Sequence, residues 1–113
     1  LSALRDRQIG RAIVLVHRDP ARDWTLASLA REVAMARSAF AARFTALVGM
    51  PPIQYLTQSR MHLAATQLRD RRTPVAALAE QLGYQSEAAF SRAFKRHTGT
   101  SPGAVRRQGA VEG

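Results

Sequence analysis

Apolar positions in this chain recur at three- and four-residue intervals, and nothing alternates over several positions. That spacing predicts helices and offers no strand. Ile9, Ala12, Ile13 and Val16 mark a first helix between Leu4 and His17. Leu26, Leu29, Ala30 and Val33 mark a short second one, with Asp23 or Thr25 available as its cap. After a turn near Ala34–Ala36, Phe40, Phe44, Leu47 and Val48 form one apolar stripe. Gly49 stands where a left-handed terminus is wanted, and Pro51 and Pro52 forbid continuation. Ile53, Leu56, Ala64 and Leu68 then run through a segment free of Gly and Pro, which predicts a long helix. Thr73 as cap and Pro74 at the first helical position precede Val75, Leu78, Ala79 and Leu82. Gly83 supplies a turn. Ser86 caps the next helix, Glu87 sits in its favourable first turn, and Phe90, Ala93, Phe94 and His97 share one face. Gly99 ends it, and Ser101–Pro102 begin a short last helix. Seven helices and an all-α fold follow.

Two stretches of this pattern are copies of each other. Leu29, Ala30, Val33, Phe40, Phe44, Gly49 and Pro52 align with Leu78, Ala79, Leu82, Phe90, Phe94, Gly99 and Pro102. The offset is 49 residues before the turn and 50 after it, so the second copy carries one extra turn residue. A repeated supersecondary unit is the reading, and each unit is helix, turn, helix. The expected organisation is an N-terminal helix with a first helix-turn-helix subdomain over 1–49, a linker helix over 50–69, a second helix-turn-helix subdomain over 70–108, and a disordered tail over 109–113.

Charge changes the picture from fold to partner. The 113 residues carry 17 Lys and Arg against 8 Asp and Glu, a net charge of +9 with neutral His. Lys95 is the single lysine, so the other cations are arginines. A high-GC genome explains Arg over Lys but not the excess, which points to a polyanion. Arg pairs with phosphates and guanine edges in a bidentate way that Lys cannot match.

Other classes fall away. Without cysteine there is no disulfide framework, thiolate zinc site or cysteine nucleophile. No run reaches the roughly 18 apolar residues of a membrane span. The eight carboxylates form no acid–base pair, and His17, His62 and His97 lack metal-ligand spacing. No enzyme, cofactor or metal is expected.

The outward faces of the second helix in each unit carry the candidate chemistry, because such a helix can enter the major groove. In the second unit, Ala88, Arg92 and Lys95 stand opposite the phenylalanines, flanked by Ser91 and Arg96, with Glu87 at the N-terminal edge. Arg92 suits a guanine O6/N7 pair, Glu87 a cytosine amine, and Ser91 a base or a phosphate. Lys95 and Arg96 suit phosphates. In the first unit Ser38, Ala41 and Ala42 are small, and Arg37 and Arg43 lie on the flanks, closer to phosphates. Arg60 and Arg106 are further phosphate candidates. The second unit is therefore expected to dominate hydrogen-bonded base readout.

These residues resemble the DNA-binding domain of the AraC/XylS family of bacterial transcription regulators. The run from Pro74 to Tyr84, followed by Ser86, Phe90, Arg92, Phe94, Lys95, Gly99 and Pro102, is the specific part, and the likeness covers about residues 8–107. The resemblance implies two helix-turn-helix subdomains bridged by a linker helix, with recognition helices in successive major grooves of double-stranded DNA. It assigns base contacts to Ser38, Ala41, Ala42, Glu87, Ala88, Ser91 and Arg92. Many members carry Arg where Ala42 stands, and Gly where Ala34 stands; the second departure is expected to matter little. It also implies RNA polymerase as a partner, an activating role, a cytoplasmic location, no membrane, and an effector or dimerisation domain in a separate N-terminal part. The competing reading is a protein-binding regulatory scaffold, antiactivator-like, with only non-specific DNA affinity.

Overall fold

The computed structural model describes residues 5–70 and 72–112, with side chains as far as 108. Among the described residues there are seven helices and no strand: α1 Arg7–Arg18, α2 Leu26–Glu32, α3 Arg37–Val48, α4 Pro52–Leu68, α5 Val75–Gln81, α6 Glu87–Thr98 and α7 Pro102–Glu112. The chain divides into two compact units between Ser59 and Arg60, inside α4.

Unit 1 closes around Ile9, Ala12, Val16, Trp24, Leu29, Ala30, Val33, Phe40, Phe44 and Leu56, all buried. Phe40 and Phe44, one helical turn apart, pack ring to ring at 5.7 Å, and Phe44 meets Tyr55 of α4 at 5.5 Å. Trp24 is buried in this core, donates its indole N–H to the Asp19 carbonyl and is covered by Arg22 at 4.1 Å. A guanidinium over an indole face is attracted by the ring's negative face.

Unit 2 closes around Met61, Ala64, Leu68, Leu78, Ala79, Leu82, Phe90, Ala93 and Phe94. Its phenylalanine pair repeats the first at 5.7 Å, and Tyr84 adds a ring 5.5 Å from Phe90. No polar or charged residue is buried among the described ones, so each core rests on apolar burial.

The helix ends explain the boundaries. Asp6 caps α1, its Oδ1 accepting from the Gln8 and Ile9 amides at 3.0 Å each. Of the two caps open for α2, Thr25 serves, in a reciprocal box with Ser28. Gly49 and Gly99 end α3 and α6 with φ of 95° and 80°. The two turns share one hydrogen-bond pattern. Met35 N–H donates to the Ala30 carbonyl at 2.9 Å, and Tyr84 N–H to the Ala79 carbonyl at 3.0 Å. Both patterns need a left-handed residue, supplied by Ala34 (φ 57°) and Gly83 (φ 88°).

Two details differ from the sequence reading. Pro74, not Thr73, is the capping position of α5, because its ψ of 146° is extended and the helix starts at Val75. Helix α7 runs on to Glu112, where a tail without structure was expected from 109; a single Gly109 weakens a helix by only about 1 kcal/mol and does not stop it. Gly113 lies outside the described residues.

Candidate nucleic-acid interface

Helix α6 separates its faces cleanly. Phe90, Ala93 and Phe94 are buried, while Glu87, Ala88, Arg92, Lys95 and Arg96 are exposed and Ser91 is half-buried. Ser86 Oγ accepts from the Ala89 amide at 3.0 Å, which fixes where the helix begins and hence which residues face outward. No salt bridge among the described residues engages Arg92, Lys95 or Arg96. Three cations thus stand on one exposed face with only Glu87 to offset them. Beside them, desolvation raises the Tyr84 hydroxyl above the ordinary phenol range, while the charges of Arg60 and Arg96 pull it down.

Helix α3 presents a different surface. Ser38 and Ala42 are exposed and Ala41 half-buried, between buried Phe40 and Phe44. Arg37 is exposed, and with Leu26, Ala36 and Ser38 it lines an open hollow where α2 and α3 begin. Ala36, at the capping position, offers no side-chain acceptor, so the first amides of α3 have no cap. Arg43 is exposed but engaged. Its Nη2 lies 2.6 Å from Asp6 Oδ2, and its Nη1 donates to Gln8 Oε1 at 3.4 Å. Gln8 in turn donates to the Val33 carbonyl at 2.9 Å. The hydrogen bonds from the Ile9 and Gln8 amides and the Arg43 guanidinium hold the Asp6 carboxyl below its usual range, against some desolvation.

One phosphate candidate has a structural task. Arg106 donates to three backbone carbonyls, of Leu68, Asp70 and Thr73, at 3.1, 3.3 and 2.6 Å. Its planar fork satisfies the C-terminus of α4 and ties α7 to the loop before α5. Sequence reasoning missed this clamp and the Asp6–Arg43 pair. Beginning the first helix at Leu4 passed over Asp6 as its cap, and no spacing rule links Asp6 to Arg43.

Two helix-turn-helix units, each showing an exposed second helix, define a double helix-turn-helix domain. A family model described as a helix-turn-helix domain matches residues 29–108. The chain is 49% identical over 107 residues to a putative AraC-like transcription regulator of Streptomyces antibioticus, covering 95% of this chain and 35% of that protein. It is 39% identical over 108 residues to the HTH-type transcriptional regulator AlkR of Acinetobacter baylyi, covering 96% of this chain and 35% of that protein. The chain thus spans about a third of the length of these curated relatives. Among solved structures it is similar to the C-terminal domain of AraT, a response regulator from Geobacillus stearothermophilus. There the TM-score is 0.85 at 30% identity, over 91% of this chain and 86% of that one. It is similar also to the DNA-binding domain of AdpA, a global transcriptional factor, solved in complex with a target DNA. There the TM-score is 0.84 at 26% identity, over 91% and 93% of the two chains. The chain belongs to the AraC-type helix-turn-helix family of transcription regulators. Among the described residues no helix is long and apolar enough to cross a membrane.

Proposed function

We propose that this chain binds double-stranded DNA sequence-specifically, with α3 and α6 in successive major grooves and α6 supplying most hydrogen-bonded base readout. The observation that carries this reading is the face of α6, where Arg92, Lys95 and Arg96 are exposed and have no salt bridge among the described residues, opposite the buried Phe90 and Phe94. Arg92 reads a guanine edge, supported by Glu87, Ala88 and Ser91. Lys95, Arg96 and, on α3, Arg37 contact phosphates, which supply affinity rather than sequence. Ser38, Ala41 and Ala42 give α3 close apolar approach to base edges, with one hydroxyl for a hydrogen bond. The AdpA relative solved with its target DNA supports the same use of the fold. Within a larger regulator, RNA polymerase and an effector or dimerisation domain are the further partners.

The test is selection of the 113-residue chain against a random duplex library at about 0.15 M salt, where exposed charges are screened within about 8 Å. The expected result is an enriched motif spanning two adjacent major grooves, with one half-site sharper than the other. No enriched motif, and binding that vanishes as salt rises, overturns the proposal in favour of the protein-binding scaffold.

A further inference from the structure

Arg43 stands beside Ala41 and Ala42 on α3, exposed, on the flank where the sequence leads one to expect a phosphate contact. Its guanidinium is nonetheless bound to Asp6 at 2.6 Å. The two partners are unequal. The Asp6 side chain is 11% exposed and Arg43 51% exposed. Asp6 is also fixed by its second oxygen, which caps α1. The carboxylate therefore cannot follow Arg43 outward without uncapping α1, whereas Arg43 has room to swing. No such pair exists on α6, whose residue aligned with Arg43 is buried Ala93 and whose exposed cations have no carboxylate partner among the described residues.

We propose that Asp6 is an affinity-setting residue: its carboxylate competes with DNA phosphate for Arg43 and keeps the contribution of unit 1 to DNA binding low. A guanidinium neutralised by a protein carboxylate displaces no counterion from a phosphate, so it adds nothing to the salt dependence of binding. Asp6 also repels any phosphate that approaches Arg43. The competition is independent of base sequence, since phosphates are the same at every base pair. The chain thereby holds a cation in reserve, released by whatever weakens the Asp6 contact. The inference rests on the DNA-binding reading above.

The test uses the whole chain and the duplex selected by it, with dissociation constants measured from about 0.05 to 0.3 M salt. Asp6→Asn keeps a capping side chain of equal quality and removes the charge. Asp6→Ser also caps but is too short to hold Arg43. Both are expected to tighten binding about 3- to 10-fold and to steepen the slope of log K against log salt by about 0.9, one phosphate more. The enriched motif should stay the same. Adding Arg43→Gln to Asp6→Asn should return affinity and slope to the wild-type values. Weaker or unchanged binding by both folded variants overturns the proposal. A gain that persists in the double variant overturns it too, because the gain then comes from removing any negative charge near DNA. If the wild-type chain selects no motif, the DNA-binding reading itself has failed and the inference falls with it. If the motif is selected but the variants do not respond, only the inference fails.

Discussion

The two units build the same motif from aligned residues and equip it differently. Each buries a phenylalanine pair at 5.7 Å and ends its second helix with a left-handed glycine. They diverge in three places. The turn holds Ala34 in unit 1 and Gly83 in unit 2, both at positive φ. The second helix opens at Ala36 with no side-chain cap, or at Ser86 with one. Of the exposed cations, Arg43 on α3 is paired with Asp6, while Arg37 on α3 and Arg92, Lys95 and Arg96 on α6 have no salt bridge among the described residues. Unit 2 has the more favourable residue at the turn and at the cap, and more exposed cations without a salt bridge among the described residues. The lesson is that a duplicated fold keeps its core and varies its caps, turns and surface.

The largest effect is expected where the units are closed by unlike devices. Arg106 gives three charge-assisted hydrogen bonds to backbone carbonyls in unit 2. Arg106→Met should cost about 1.5–3 kcal/mol of stability, because the carbonyls of Leu68, Asp70 and Thr73 lose a charged donor. A thermal or urea melt followed by circular dichroism checks this. A variant as stable as wild type, with weakened DNA binding, would return Arg106 to the phosphate contacts.

Next comes the contrast between the recognition faces. Arg92→Ala should cost about 1–3 kcal/mol of binding and relax preference at one base pair. Arg96→Ala should weaken all sequences alike and flatten the salt slope by about 0.9. Competition binding against single-base variants of the selected site separates the two. Equal weakening of every sequence by Arg92→Ala would make it a phosphate contact and remove the proposed dominance of unit 2 in readout.

The sequence exposed most of this comparison, because its causes are local. Helical spacing, the aligned phenylalanines and the glycines that end α3 and α6 each act within a turn or two of their own position, so the all-α architecture and the outward residues of α6 could be read directly. The start of α5 could not. Thr73 and Pro74 are both acceptable at a helix entrance, and the ψ of Pro74 decides. The engagement of Arg43 and Arg106 was hidden for another reason. A long side chain on an exposed face meets a cap or a carbonyl brought near only by folding, and its identity and spacing are those of a phosphate contact. Of the candidate site, the α6 face was legible, and the α3 face was legible in composition but not in its electrostatics.

The turns offer a smaller and reciprocal test. Gly83 at φ 88° can be left-handed without penalty, whereas Ala34 at φ 57° crowds its Cβ against the backbone. The family resemblance suggested that alanine there matters little, and the positive φ attaches a cost to it. Ala34→Gly should stabilise unit 1 by about 0.5–1 kcal/mol, the relieved strain exceeding the entropy that glycine adds to the unfolded chain. Gly83→Ala should destabilise unit 2 by about 1 kcal/mol. Denaturant melts of both variants check the pair, and a destabilising Ala34→Gly would show that the turn of unit 1 is not strained.

The smallest effect concerns the helix entrances, and it is the one that separates stability from binding. Ala36 already has the extended backbone of a capping residue, φ −65° and ψ 147°, and lacks only the acceptor. Ala36→Ser should therefore add about 0.5–1 kcal/mol to unit 1, and Ser86→Ala should remove about as much from unit 2, since each exchange makes or breaks one cap bond. The consequence for DNA differs in sign. Open amides at the start of α3, next to Arg37 and Ser38, are donors that a phosphate can use, and a serine cap would occupy one of them. Ala36→Ser is thus expected to raise the melting temperature while leaving DNA affinity unchanged or slightly lower. A cap that raised stability and affinity together would mean that order at the start of α3, rather than its free amides, limits what unit 1 contributes.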